Sequence, residues 1–182
     1  MTTSITITEA LAEIPTIEKR IAKKQEFIQN YLYRQEAVRD PNESDGGSVA
    51  LIAQARQSIE DLSNRLISIR TQIQVANWNN SITIDGQTRT IVEWLTWRRE
   101  VAPKRQEFLR TMSESIQSMR RKAQQQGLSV VDQATNAVTL NYLVNVNEKA
   151  LSDDIEQMET TLGTLDGQLS LKNATITIDL AD

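Results

Sequence analysis

An apolar seam in the second quarter of the chain constrains the fold more than any other feature of the sequence. Its eight members follow one another at alternating steps of three and four residues: Ile52, Ala55, Ile59, Leu62, Leu66, Ile69, Ile73 and Ala76. This spacing puts all of them on one face of an α-helix, as in a heptad repeat. With Ser48 as the predicted N-cap, we expect a helix over about residues 48–77 whose apolar face requires a partner.

Isoleucines spaced seven residues apart predict another helix in the first quarter of the chain, over about residues 8–38. They are Ile7, Ile14, Ile21 and Ile28. Pro15 lies inside this helix, where it removes one backbone hydrogen bond, so we expect a kink at that point.

The second half of the chain predicts two further helices. One covers about residues 90–126 and opens with a capping-box pattern, Thr90-Ile91-Val92-Glu93. Pro103 is expected to kink it near its middle. The other covers about residues 147–172 with Asn147 as its N-cap. It is expected to continue through two glycines, because the spacing of its apolar residues is unbroken across them.

Short extended pieces are predicted between the helices, over about residues 4–8, 81–91, 137–146 and 174–180. The second of them contains Asp85-Gly86, which is typical of a two-residue type I′ hairpin turn. The third alternates apolar with polar residues, as a strand with one apolar face does. Three of the pieces repeat nearly the same phrase, which reads SITIT at 4–8, SITID at 81–85 and TITID at 175–179.

These elements predict a mainly α fold in a single domain over residues 1–182, an antiparallel four-helix bundle with long kinked helices. In an up-down-up-down bundle, the start of the first helix, the turn after the second and the end of the fourth lie at one pole. The three repeated phrases are therefore expected to form a small β-sheet at that pole. Residues 137–146 remain as an extended β arm, which either folds along the bundle or pairs with another subunit.

The chain contains neither cysteine nor histidine. A thiolate nucleophile, a Cys-ligated metal and a histidine general base are therefore unavailable. Serine triads and Glu-x-x-His di-iron sites are excluded for the same reason. Carboxylate-based or lysine-based chemistry is still possible in principle, but no motif supports it. We predict a non-enzymatic protein with no catalytic, cofactor-binding or metal site.

The stretch DPNESDGG at residues 40–47 resembles a calcium-binding loop in the spacing of its oxygen-bearing side chains. The glycine falls one position late, and Leu51 stands where a bidentate glutamate is needed. A solvated loop between two helices is therefore the favoured interpretation.

The stretch EWLTWRREVAPKRQEF is the richest in residues that recognise partners. Trp94 and Trp97 lie three positions apart on one helical face, and Arg98 and Arg99 follow them. Three interpretations stay open: tryptophans packed beneath the sheet, an exposed hot spot for a protein partner, or base stacking and phosphate contacts on nucleic acid. Nucleic acid is the least favoured, because acidic residues interleave with the basic ones and the formal net charge of the chain is −4.

The apolar faces of the β pieces form a second group of candidate partner-binding residues. Strand edges that carry neither proline nor lysine can accept a strand from another molecule. The candidates in the repeated phrases and in the arm are Ile5, Ile82, Ile84, Val138, Leu140, Tyr142, Val144, Ile176 and Ile178.

Four segments in about the first two thirds of the chain form a further pattern; in order, they are EALAEIPTIEKRI, YLYRQEAVRDP, TQIQVAN and TIDGQTRTIVEWL. Together they resemble the septicolysin-like family of small bacterial helical proteins. The resemblance implies an oligomeric helical bundle and supplies no catalytic residue. Two other segments, WRREVAP and GTLDGQLSLKNATITIDL, are more similar to uncharacterised proteins encoded by tailed phages.

The sequence as a whole predicts a structural protein that binds copies of itself and a larger protein assembly. Within that class we expect a phage virion component, such as a capsid decoration or stabilising protein, assembled in the host cytoplasm. The N-terminus shows no secretory signal, and no apolar run approaches the roughly 20 residues of a membrane span, so the location is otherwise cytoplasmic. The alternative is a cytoplasmic oligomeric module that contacts nucleic acid through the Trp/Arg face of the third helix.

Overall fold

The computed structural model describes residues 2–131 and 142–181 and is mainly helical. The helices are α1 (Ile7–Tyr31), α2 (Ser48–Asn79), α3 (Ile91–Thr96), α4 (Ala102–Gln125) and α5 (Glu148–Thr175). The strands are β1 (Thr2–Thr6), β2 (Ser81–Ile84), β3 (Gln87–Thr90), β4 (Val130–Val131), β5 (Tyr142–Leu143) and β6 (Thr177–Ala181). A 3₁₀ turn covers Glu43–Asp45 and a π-helical turn covers Trp97–Val101. The mainly α class is confirmed, whereas the four-helix bundle stays a prediction.

The chain divides into two compact units. The first contains the described residues up to Asn80 and those from Ser170 onward, which comprise β1, α1, α2, the last turns of α5, and β6. Its core consists of Ile7, Ala10, Ile17, Leu62, Ile69, Ile178 and Leu180. The first turns of α1 thus share a core with the second half of α2, so the two helices are antiparallel and the predicted seam is the face between them.

One ion pair lies on each flank of this seam. Arg65, just before a seam residue of α2, contacts Glu13 at 3.1 Å between Nε and Oε1. Arg70, just after another, contacts Glu18 at 3.0 Å between Nη2 and Oε1. Both pairs keep substantial solvent exposure, so each contributes about 0–1 kcal/mol. Their role is to fix the register between the helices more than to stabilise them.

The first helix ends at Tyr31, so the predicted extension to residue 38 is wrong. Leu32 and Tyr33 are exposed and find no apolar surface that would reward another helical turn. The Arg34 guanidinium instead donates to three carbonyls of the following loop, the shortest bond being 2.6 Å to the oxygen of Val38. Pro15 does lie inside the helix.

Ser48 is the first residue of α2 and not its N-cap, which corrects the prediction. The carboxylate of Asp40 supplies the cap from eight residues away, accepting from the Ser48 amide at 2.7 Å and the Ser48 hydroxyl at 2.6 Å. It also accepts from the Asn42 amide at 2.9 Å. These bonds lower the pKa of Asp40, the Ser48 hydroxyl contributing most. The loop that resembles a calcium site uses its first carboxylate to begin a helix.

The second unit extends from Ser81 to Leu169. It begins with the antiparallel pair β2–β3, here called the hairpin sheet, whose turn residues Asp85 and Gly86 have φ angles of +51° and +74°. Positive φ at both positions agrees with the predicted type I′ turn. The buried apolar residues of this unit are Ile82, Ile84, Ile91, Trp94, Ala102, Leu109, Ala123, Val144, Leu151, Met158, Leu165 and Leu169.

The predicted helix over residues 90–126 is divided into α3, the π-helical turn and α4. In the π turn the Ala102 amide donates to the carbonyl of Trp97, one residue further back than in an α-helix. Pro103 follows immediately and has no amide to donate, so an irregular turn before it satisfies the neighbouring backbone groups. The α5 helix begins as predicted, with the Asn147 side chain accepting from the Ala150 amide at 3.1 Å.

The three repeated phrases do not form one sheet. The first and last pair with each other as the antiparallel strands β1 and β6, here called the terminal sheet, with Ile5 opposite Ile178. Among the residues that the structure describes, the middle phrase pairs with its own hairpin neighbour β3 and with no other strand. The first strand also ends at Thr6 and not at residue 8, because Thr6 serves as the N-cap of α1. The first and last phrases belong to the first unit, and the middle phrase belongs to the second.

The predicted ten-residue arm is only partly a strand in the described chain. Tyr142–Leu143 pairs in parallel with Val130–Val131, and the Tyr142 amide donates to the Ser129 carbonyl at 3.0 Å. Residues 144–147 are not extended into that sheet. Val138 and Leu140 lie outside the described residues. The described part of the arm therefore pairs within its own chain.

When β4 and β5 are left out, the element order strand, helix, loop, helix, strand occurs twice along the chain. The first repeat is β1, α1, α2, β2, and the second is β3, α3 to α4, α5, β6. Both begin with the same capping box: in each, the threonine amide donates to the glutamate at 2.7 Å and the glutamate amide donates to the threonine hydroxyl at 3.2 Å. The boxes are Thr6 with Glu9 and Thr90 with Glu93. Two of the two-stranded sheets, β1–β6 and β2–β3, each combine one strand from each repeat.

Candidate functional site

The first of the two predicted tryptophans is a core residue of the second unit. Trp94 lies in α3 and is 2 % exposed. Its indole Nε1 donates to the carbonyl of Ile82 at 2.9 Å, which fastens the helix to the hairpin sheet. The capping box positions this helix, and the Thr90 amide followed by the Thr90 hydroxyl lowers the pKa of Glu93 by hydrogen bonding to its carboxylate. The position of Trp94 agrees with packing beneath a sheet, one of the three interpretations left open.

Two neighbours enclose the Trp94 ring. Trp97 meets it edge to face, with ring centroids 5.4 Å apart and an interplanar angle of 89°. The Arg89 guanidinium carbon lies 5.0 Å from the ring centroid, a cation–π distance. Because these contacts and the indole hydrogen bond occupy Trp94, it has no free face for a base or a partner side chain. Trp97 is half-buried and keeps part of its ring accessible.

The two arginines after Trp97 are exposed and each faces a carboxylate. Arg98 contacts Asp166 of α5 at 3.1 Å, and Arg99 contacts Glu100 at 2.9 Å. Exposed pairs of this kind are weak and break readily. Each pair nevertheless places a negative charge beside the cation, which weakens the attraction of this surface for a polyanion.

A small cleft of about 240 Å³ opens beside the tryptophans. Its charged lining residues are Asp85, Arg89, Arg105 and Asp154. Asp85 accepts hydrogen bonds from Gln157 at 2.8 Å and Thr161 at 2.9 Å, which ties the hairpin turn to α5. The balance of two acids and two bases, in so little volume, suits a single polar side chain of a partner better than a nucleotide.

A larger groove of about 680 Å³ lies between α4 and α5. Leu109 and Met158 are its buried apolar residues, and its other lining residues are mostly charged or amide side chains. Among the residues that the structure describes, no three carboxylates are grouped so that they could hold a metal ion.

The predicted strand residues are mostly buried. Ile82, Ile84 and Ile178 are almost inaccessible, while Ile5 and Ile176 are half-buried. Their side chains thus fill the cores under the two sheets, and any contact with a partner strand would use the backbone edges.

The two described candidates of the arm differ in exposure. Val144 is buried. Tyr142 is exposed, and its hydroxyl donates to the Gln126 side chain at 3.2 Å. The arm therefore contributes one accessible aromatic side chain among its described residues.

Sequence reasoning missed an exposed apolar stripe on α2. Ile67, Val75 and Trp78 are 63 %, 47 % and 65 % exposed, and we call them the outer stripe. At 100° per residue they fall within about 80° of arc, on the side of α2 opposite its seam. The signal was present in the sequence, because these three large residues lie outside the alternating three-four spacing.

No described helix combines the length and the apolar composition that a bilayer crossing requires. None of the family models, curated proteins and solved structures compared with the chain is similar to it. The interpretation of the surfaces therefore rests on their own geometry and chemistry.

Proposed function

We propose that this chain is a non-enzymatic assembly protein that binds copies of itself. The observation that carries the proposal is the outer stripe. Isolated exposed apolar residues are normal on a protein surface, but three large ones on one side of a helix, one of them a tryptophan, are typical of protein contacts. Trp78 supplies the large, rigid contact area that interface hot spots use.

The chemistry of the remaining surface supports a binding role over catalysis. The chain has no histidine and no cysteine. The carboxylates of Glu9, Asp40 and Glu93 have lowered pKa values, and all three serve as helix caps. A carboxylate with a lowered pKa is a poor proton donor or acceptor near neutral pH. These groups therefore stabilise helices and do not suit general acid–base work.

The larger assembly that we propose is a phage virion, in which the chain acts as a capsid decoration or stabilising protein. Two features support this finer proposal: described sheets that are two strands wide, whose outer edges can accept further strands, and long helical pairs. Homo-oligomers of such proteins present many weak contacts at once, which multiply into tight attachment.

Absolute mass by light scattering across a concentration series tests self-association. We expect a discrete oligomer in the native protein. Ile67→Lys combined with Trp78→Lys should weaken association by at least about 100-fold, because two hot-spot side chains are replaced by charges. Gln54→Lys is the matched control, an exposed position of α2 outside the outer stripe.

A native protein that stays monomeric at every concentration would overturn the proposal. An oligomer whose mass is insensitive to the double substitution would remove the outer stripe from it and leave self-association itself standing.

A further inference from the structure

The terminal sheet is held entirely by contacts between distant parts of the chain. Strand β6 pairs along its length with β1, and the Ile7 amide donates to the Ile176 carbonyl at 3.0 Å beside the ladder. Two β6 side chains, Ile178 and Leu180, are buried in a core whose other members all come from the first 80 residues. The pairing and the burial of β6 therefore depend on residues that are distant from it in sequence.

A second copy of the protein presents the same strand to the same groove. The groove under β6 is formed by β1, α1 and α2, and an identical β6 from another molecule would restore every pair and every buried side chain. Exchange of an identical element between copies is a low-cost route to oligomers, because it creates no new interface to optimise. The link between α5 and β6 is a single residue, Ile176, and short hinges favour exchange over closure.

The hairpin sheet is built in the same way, but its two strands cannot be exchanged between molecules. It also pairs the last strand of one repeat with the first strand of the other, but a two-residue turn joins them. Within one chain, the first repeat is thus connected to the second through the pair β2–β3. A β6 strand placed on the β1 of the next molecule would connect copies through an equivalent pair.

We infer that β6 of one molecule pairs with β1 of another, so that copies of this chain assemble by exchanging their last strand. The inference rests on the self-association proposed above and adds to it a second contact, distinct from the outer stripe. The occupant of the β6 groove in the assembly is therefore the C-terminal strand of a second copy.

Engineered thiols test the exchange directly, because the chain has no cysteine of its own. Ser4 and Asp179 are exposed register partners in the terminal sheet. Full-length Ser4→Cys and Asp179→Cys, one of them isotopically labelled, are mixed in equal amounts, unfolded, refolded together at high concentration and oxidised. We expect heterotypic covalent dimers to exceed the control mixture by about tenfold, since paired strands hold the two thiols at a high effective concentration.

The control mixture is Thr83→Cys with Thr88→Cys, exposed register partners in the hairpin sheet. Its two positions stay in one chain because of the two-residue turn, so its dimers should form in random proportions. A third protein carries Ser4→Cys and Asp179→Cys together. Diluted, it should form an internal disulfide, and concentrated, it should form covalent multimers.

Heterotypic dimers no more abundant than in the control mixture would overturn the exchange. Failure of the doubly substituted protein to form its internal disulfide would overturn the register on which the exchange depends. If either failure occurs while light scattering still shows a discrete oligomer, self-association stands and only its mechanism is wrong. If light scattering also shows a monomer, both proposals fail.

Discussion

The terminal sheet joins strands from the two ends of the chain, whereas the hairpin sheet joins strands separated by two residues. Loop closure opposes the first far more than the second, by about 0.6 kcal/mol for every doubling of the loop. The terminal sheet offsets this with two fully apolar β6 side chains in a shared core. The hairpin sheet also buries two side chains, Ile82 and Ile84, and adds a two-residue turn and one indole hydrogen bond. Both sheets are thus stabilised by burial, but only the hairpin sheet also has its two strands joined by a local turn.

The same contrast appears one turn into the helix that follows each sheet. Ala10 and Trp94 occupy the same position relative to their capping boxes, and both are buried. In the first unit a small residue suffices, because β6 side chains fill the space nearby. In the second unit a large aromatic fills the space itself and requires a partner for its indole N–H. The two helices thus begin with the same capping box but bury different side chains, depending on which strands pack against them.

The largest expected effect comes from removing the burial that holds the terminal sheet. Leu180→Ala should lower the free energy of unfolding by about 2–5 kcal/mol, because Leu180 is fully buried and a cavity would remain. Leu171→Ala, at a position 58 % exposed, should change it by less than about 0.5 kcal/mol. Urea unfolding followed by far-UV circular dichroism measures both. Equal losses would mean that burial of β6 is not what stabilises the sheet.

A smaller effect is expected from the hydrogen bond that holds the hairpin sheet. Trp94→Phe keeps an aromatic ring but leaves the Ile82 carbonyl without its donor, so it should reduce the free energy of unfolding by about 1–3 kcal/mol. Trp97→Phe is the control, since Trp97 is half-buried and its substitution leaves that bond intact. Thermal unfolding compares the two. A larger loss at Trp97 would assign the stabilisation to the ring contact and not to the bond.

The smallest expected effect is on stability at acid pH, and it involves one capping box in each unit. The pKa values of Glu9 and Glu93 are lowered from 4.5, chiefly by the backbone amides of Thr6 and Thr90. Groups with a depressed folded-state pKa stabilise the protein above their unfolded value, and this contribution is lost as the pH falls through the folded value. The stability of the native protein should therefore decline below about pH 4.5 more steeply than that of Glu9→Gln combined with Glu93→Gln. Urea midpoints between about pH 7 and pH 3 measure the two slopes, and parallel slopes would show that the boxes carry no charge effect.

Local features of the fold were predictable because their signals lie within a few residues of one another. The α2 seam, the Thr90 capping box and the Asp85-Gly86 turn all agree with the structure for that reason. The partner of each repeated phrase was not predictable in this way. Period-two alternation fixes which face of a strand is apolar, but it does not identify the strand that pairs with it.

The candidate site was predictable only in part. Spacing placed Trp94 and Trp97 on one side of a helix, but whether that side is buried depends on the hairpin sheet that packs over it. The N-terminal cap of α2 was missed because the accepting carboxylate belongs to Asp40, which lies eight residues upstream in a folded loop. The outer stripe was missed because its three residues lie outside the alternating three-four spacing that identifies the seam.

The crossed pairing of the two repeats has a consequence for a chain of half the length. Within each repeat the first and last strands do not pair with each other, since each finds its partner in the other repeat. A chain made of one repeat would leave both strands without a partner, and a second molecule would be needed to complete its sheets. The longer chain forms one of these sheets as a hairpin and closes the other between its first and last described strands.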